Sequence, residues 1–161
     1  MKNTIIDIQQ FRNALGNFAT GVCIVTVAPE AGVPIGMTIN SFSSVSLEPP
    51  LVMWSIQCNS ECFAVFESAE RFAINVLSAE QQDLSREYSR KGQHQLKAEH
   101  FYCGRSGAPL LHNALTVFEC RSWARYPGGD HLILVGEVLQ FSAQPAAPAL
   151  GFFKGAYTEI R

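Results

Sequence analysis

The run from Ala114 to Phe141 limits the folds open to this chain more than any other stretch. Ala114 to Tyr126 and His131 to Phe141 are long segments rich in β-branched and aromatic residues, and Pro127-Gly128-Gly129-Asp130 between them is made of turn formers. The pattern is that of a long β-hairpin. Its second arm is apolar on both faces, with Ile133, Val135 and Leu139 on one and Leu132, Leu134 and Val138 on the other. A strand apolar on both sides must be covered on both sides. In a barrel the core supplies one cover, and a second subunit can supply the other.

The remaining segments predict partners for that hairpin. Asp7 stands as an N-cap with Gln10 three residues on, and Ile6 with Phe11 forms a hydrophobic staple. Ile8, Phe11, Leu15 and Phe18 recur at helical spacing, so one amphipathic helix is expected over residues 8–18, ended by Thr20-Gly21. Val22 to Val27 reads as a strand, Pro29 to Pro34 as a hairpin turn, and a further strand starts near Ile35. Leu51 to Ile56 is a strand behind the Pro49-Pro50 pair. Ser60 is expected to cap a short helix running through Glu67. Arg71 to Leu77 is a strand with Phe72, Ile74 and Val76 on one face, and Ser78 caps a polar helix to about Tyr88. Residues 89–109 lack periodicity and contain Gly92, Gly104, Gly107 and Pro109, which predicts a long surface loop. Ala149 to Tyr157 is a last aromatic segment. Strands following one another through tight turns favour antiparallel pairing. The expected fold is mainly β: a small antiparallel barrel of about six or seven strands with two or three short peripheral helices, in a single domain over residues 1–161.

Charge narrows the function classes. The formal net charge is −2, and Arg86, Arg90 and Lys91 form the one basic cluster, so a nucleic-acid partner is not expected. No run approaches the roughly 18 apolar residues that span a membrane, and Met1 to Asp7 has no apolar segment of a secretory signal. Five cysteines without a CxxC pair predict free thiols and a reducing cytoplasm rather than a disulfide framework. Cys23 and Cys120 sit in apolar runs, as buried thiols do.

Chemistry concentrates in Gly36 to Pro50. Hydroxyls at Thr38, Ser41, Ser43, Ser44 and Ser46 surround Asn40, and Glu48 is the one charge in the run. Small neutral donors beside backbone amides suit a flat, polar-edged, phosphorylated ligand; a Ser/Thr-rich strand edge and turn is the plainer reading. Gly128-Gly129-Asp130-His131 is the second notable place, since a His opening a strand after a tight turn stands at a barrel rim. A turn carrying a surface His is the plainer reading there. His94, His100, Cys103 and His112 fit no metal-ligand spacing, so no metal is expected. The chain has no GxSxG elbow, no GxGxxG and no P-loop, and no catalytic side chain is singled out.

Taken together, the Gly36 to Pro50 stretch, Gly128-Gly129-Asp130-His131 and Gly136-Glu137-Val138 resemble the short-chain flavin reductase family, the reductase components of two-component flavin-dependent monooxygenases. Phe11-Arg12, Phe18-Ala19-Thr20-Gly21-Val22, Phe72 to Leu77, Gly107-Ala108-Pro109 and Phe152-Phe153 to Tyr157 extend the resemblance over residues 8–158. It implies an FMN-binding split β-barrel, usually a homodimer, acting as an NAD(P)H:flavin oxidoreductase. Such an enzyme passes hydride from NADH or NADPH to FMN, with FAD as an alternative, and supplies diffusible reduced flavin to a partner monooxygenase.

The resemblance also implies roles. Thr38, Ile39, Asn40 and Ser41 would lie at the ring's polar edge, with Ser44, Val45 and Ser46 behind them. Ser60 would hold the phosphate, with Arg86 as a charged partner, and Tyr157 would lie near the flavin. His131, with Asp130 and Gly129 shaping its turn, would meet the nicotinamide cofactor. Two departures stand out: Ser60-Glu61-Cys62 where the family has Ser-x-Thr, which points to weaker, exchangeable flavin, and Tyr88 where Phe is usual. Two other activities fit the same residues: a flavoprotein that keeps its FMN and reduces another acceptor, and a flavin-binding protein without activity.

Overall fold

Three residues, Asn40 to Phe42, join two strands at opposite edges of the main sheet, and that link shapes the molecule. The computed structural model describes residues 6–144 and 147–161. In chain order the elements are α1 (Ile8–Leu15), β1 (Thr20–Gly21), β2 (Cys23–Val27), β3 (Ile35–Ile39), β4 (Ser43–Leu47), β5 (Pro50–Gln57), α2 (Phe63–Ser68), β6 (Arg71–Val76), α3 (Gln82–Tyr88), β7 (Phe101–Cys103), β8 (Pro109–Leu111), β9 (Thr116–Gly128), β10 (His131–Ala143), β11 (Ala149–Phe153) and β12 (Ala156–Ile160). Single 3-10 turns occur at Ala79–Gln81 and Ala98–His100.

The main sheet has seven antiparallel strands in the order β3-β2-β6-β9-β10-β5-β4. Laid flat, its outer strands would stand about 29 Å apart at ~4.8 Å per strand. The Asn40 to Phe42 link spans at most about 14 Å. The sheet therefore curls until β3 and β4 approach each other, and the seam between them carries no ladder. This is the antiparallel barrel that the pattern predicts, split along one seam as the family resemblance implies.

Inside the curl lies one core, built around Trp54, Phe66 and Phe72, with Trp54 edge-on to Phe66 at 5.0 Å and to Phe72 at 6.1 Å. Outside β2 and β6 lies a second core, where Ile24, Ala73, Leu77, Tyr88, Leu111 and Leu150 meet. All five residues of β2 are buried because both of its faces are covered by this chain. Asn75 interrupts an apolar strand for a reason. Its Nδ2 donates to Ile24 O at 2.9 Å and Thr26 Oγ1 at 3.1 Å, and its Oδ1 accepts from Leu111 N at 2.9 Å. The buried amide thus ties β2 and β6 to β8, fully paired.

Several expectations need correction. The first helix stops at Leu15, and Phe18 lies in the turn beyond it; Asp7 does cap it, accepting from Gln10 N at 2.9 Å. None of its residues is buried, and Ile8, Phe11, Leu15 and Phe18 face outward. The second helix begins at Phe63, with Cys62 rather than Ser60 at the cap position. Residues 89–109 are not one loop: the Ala98–His100 turn and β7 fall within them, and β7 pairs with β8. Strand pieces of two to five residues raise the total to twelve, because short pairings leave no periodicity to read. The outer face of β10 is only partly covered, with Val135 buried but Leu139 and Phe141 exposed.

The β9–β10 ladder shifts register at Val135/Gly136, where a Cβ on Gly136 would stand 2.6 Å from the Phe72 ring and 3.1 Å from Cys120 Cβ. Gly136→Ala is expected to cost about 1–3 kcal/mol by overpacking, read as a lower urea midpoint with unchanged m-value.

Candidate active site

The seam leaves polar groups where a ladder would otherwise run. Ser41, in the link past the end of β3, extends the β4–β5 pairing with its side chain: Oγ accepts from Ser55 N at 3.0 Å and donates to Ser55 O at 3.2 Å. Around this stitch is a cavity of about 290 Å3, lined by Met37, Thr38, Ile39, Asn40, Ser41, Ser55, Ile56, Gln57, Ser60 and His131. Four separate segments thus converge, from β3, β5, the turn before α2 and the start of β10.

His131 reaches the cavity through the tight turn. Gly129 and Asp130 alone connect β9 to β10, and Gly129 takes a left-handed φ of 71° that a side chain would oppose. Register sets His131 opposite Gln57 on β5, and Cys58 N donates to Asp130 O at 2.9 Å, fastening the turn to the β5–α2 loop. His131 Nδ1 and Asp130 Oδ1 are 2.7 Å apart. That hydrogen bond, then the nearby imidazole charge, holds the Asp130 carboxyl below its usual range, with a smaller contribution from Arg12.

A second polar group adjoins the first through Thr38. Its Oγ1 donates to Ser85 O at 2.7 Å, Ser85 Oγ lies 2.8 Å from Tyr157 Oη, and the Arg86 guanidinium sits 5.6 Å from the centre of the Tyr157 ring. Arg86 and Tyr157 are therefore one step outside the seam cavity. Ser44, Val45 and Ser46 run along β4 away from it and do not line it, and neither do Gly129 and Asp130. Ser55 and Ser85, absent from the sequence reading, are central here. Ser55 had a signal, since it shares a face of β5 with Met53 and Gln57; a lone serine in a polar helix gave none for Ser85.

The two departures have structural partners. Glu61 turns away from Ser60: its Oε1 accepts from Gly92 N and lies 3.0 Å from His94 Nε2, while His94 Nδ1 faces Gly36 O at 3.1 Å. Cys62 is buried, and burial, helped by the Glu61 charge, pushes its thiol up to about 11. Ser60 Oγ accepts from Cys62 N at 3.2 Å. Tyr88 uses its extra hydroxyl, which accepts from Lys97 N at 3.1 Å and sits 2.7 Å from His100 Nδ1. His94, His100 and Cys103 go separate ways, and among the described residues no three His, Cys, Asp or Glu side chains gather as a metal site.

The profile described as a flavin reductase like domain matches residues 15–161. This chain belongs to the flavin reductase-like family. Among its relatives, SmoA of Agrobacterium fabrum, an FMN reductase (NADH), is 46% identical over 92% of this chain and 84% of SmoA. The reductase component of flavin-dependent trigonelline monooxygenase from Acinetobacter baylyi is 37% identical over 93% of this chain, which spans about half, 48%, of that relative's length. The NADH:FAD oxidoreductase SgcE6 of Streptomyces globisporus, solved with NAD and FAD fragments, superposes with a TM-score of 0.89 at 34% identity, covering 98% of this chain and 97% of SgcE6. The split barrel read from the sequence is thus the fold of this family's solved members.

Tyr88→Phe removes both hydroxyl contacts and leaves Lys97 N without its acceptor. It is expected to cost about 1–2 kcal/mol, measured by chemical denaturation.

Proposed function

We infer that this chain is an NAD(P)H:flavin oxidoreductase that reduces FMN, or FAD, and hands the reduced flavin to a separate monooxygenase. The observation that carries this reading is the convergence of Thr38, Ile39, Asn40, Ser41 and His131 on one cavity at an unladdered seam. The donor set fits a flavin: neutral hydroxyls and an amide for the ring's polar edge, Ile39 and Ile56 for its apolar face.

The nicotinamide and flavin, when bound, supply the hydride chemistry between themselves. The chain's own work is to hold two planar groups in contact at about 3–3.5 Å and keep water out. Ser41 is fixed by Ser55 and Thr38 by Ser85, so their positions are set before any ligand arrives. His131 sits at the cavity's rim, held by Asp130, where it positions the nicotinamide donor. Ser60 marks the phosphate end with Arg86 as its charged partner, and Tyr157 lies near the flavin from the adjoining group. With Cys62 in place of a hydroxyl, phosphate binding is weakened, which favours exchangeable flavin over a retained one. Ser44, Val45 and Ser46 take a supporting place behind the ring, along β4.

The protein works as a homodimer. Ile8 and Phe11 on α1, Leu47 at 94% exposed and Phe141 at 71% exposed are surfaces that an isolated chain would leave in water. Five free thiols and a nicotinamide donor support a cytoplasmic setting. No helix among the described residues is long and apolar enough to cross a membrane.

The decisive assay is NADH oxidation at 340 nm with and without added FMN. Oxidation that saturates with FMN supports the reading, and none with either nicotinamide and any flavin overturns it. His131→Ala is expected to raise the KM for NADH about tenfold while shifting flavin affinity far less; an unchanged KM removes its positioning role.

A further inference from the structure

We propose that Arg12 and Lys154 form an anion subsite beside the seam cavity that takes the pyrophosphate of the nicotinamide dinucleotide. The proposal rests on the flavin reductase reading above and extends it to residues on the opposite wall. A groove of about 840 Å3 runs between α1 and the β11–β12 turn. Arg12, Asn13, Asn17, Thr20, Phe152 and Lys154 are among its lining, and Asn40 lines both this groove and the seam cavity. A ligand lying in one can therefore continue into the other across Asn40.

The charges are arranged for an anion. Neither Arg12 nor Lys154 has a carboxylate within 4.0 Å among the described residues. Thr20 Oγ1 is buried without a hydrogen-bond partner, and Asn13 and Asn17 add neutral donors. Phe152 offers a flat face for a base.

Lys154 supplies the independent observation. It and Gly155 make the two-residue turn between β11 and β12, with φ of 49° and 78°. Such turns favour Asn or Asp before Gly, and a lysine in the left-handed region is disfavoured. Its N donates to Gly16 O, which any residue but proline would do, and its ammonium makes one exposed cation–π contact, 5.2 Å from the centre of the Phe153 ring. A lysine held in a disfavoured conformation for so modest a structural return points to a ligand. The dinucleotide's two phosphates match two free cations, with arginine suited to bidentate contact.

The test compares NADH with dihydronicotinamide riboside, which lacks every phosphate, at saturating FMN. In the double variant Arg12→Gln/Lys154→Asn, the KM for NADH is expected to rise about tenfold relative to the KM for the riboside. Lys154→Asn alone is expected to hold or raise the Tm, since Asn suits the turn, while raising the KM for NADH severalfold. Loss of function with gain of stability is not what a structural role would produce. An unchanged KM for NADH overturns the proposal, and so does an equal rise for both donors. A rise in the KM for FAD in place of NADH assigns the groove to the flavin's adenylate and overturns it too. A shift in the monomer–dimer equilibrium as the sole effect makes the groove a subunit contact and does the same. Wild-type protein that oxidises neither donor with any flavin defeats the enzyme reading itself, a result distinct from all of these.

Discussion

The short link from Ile39 to Ser43 governs the rest of the structure. A seven-stranded sheet whose edges are joined by three residues cannot stay open, and the two edges share no ladder. Edge strands carry unpaired N–H and C=O groups that must find other partners. At this seam one side chain, Ser41, meets both backbone groups of Ser55. The rest of the edge is left available to a ligand. The seam cavity is thus a consequence of how the sheet closes, not a pocket added to a finished barrel.

The long hairpin completes the site from the other side. Along β5 and β10, buried Leu134 stands opposite buried Trp54 and half-buried Leu132 opposite buried Ile56. A slip of one residue would exchange Leu132, Leu134 and Val138 for Ile133, Val135 and Leu139 on the core face and repack it. The same register delivers His131 to Gln57 at the cavity rim. Core packing and site geometry are therefore one constraint on β10. On the far face of the sheet, the paired Asn75 amide fixes β8 against β2 and β6, and Tyr88 pins the segment at Lys97 and His100. The covering layer is positioned by polar contacts because its strands are too short to be positioned by ladders.

What was legible in the sequence follows from this division. The hairpin 114–141, the strands at 22–27 and 71–77, and the cap at Asp7 rest on local chemistry, and the structure has them; Ser78 opens the 3-10 turn ahead of the helix, its N donating to Gln81 Oε1 at 3.1 Å, and Gln81 takes the helix's own cap position. The β7–β8 pair was illegible because three-residue strands show no alternation. Ser60 failed as a cap because its hydroxyl bonds Cys62 N, and the helix's cap position lies two residues further on, at Cys62. The amphipathic pattern of α1 was read correctly, but pattern alone does not say what the apolar side meets. Within the site, Thr38 to Ser41 and His131 stood out by type and motif. Ser55, Ser85, Arg12 and Lys154 did not, since their places depend on contacts between segments far apart in the chain. Arg86 and Tyr157 were legible as a pair only through the family resemblance, and Thr38 and Ser85 are what connect them to the cavity.

The thiols decide which redox chemistry the chain itself can offer. Burial pushes Cys23 and Cys120 up to about 12 and Cys62 up to about 11. A thiol whose pKa lies that far above neutral stays protonated there, and the thiolate is the reactive form. Those three therefore serve as small apolar fillers in the core, Cys62 at the very position where the family carries a hydroxyl. Cys58 and Cys103 are exposed, but each stands on a different segment, and all five thiols are free. Among the described residues no two thiols stand paired as a dithiol. This agrees with a cavity furnished with hydroxyls and amides, groups that orient a ligand without reacting with it.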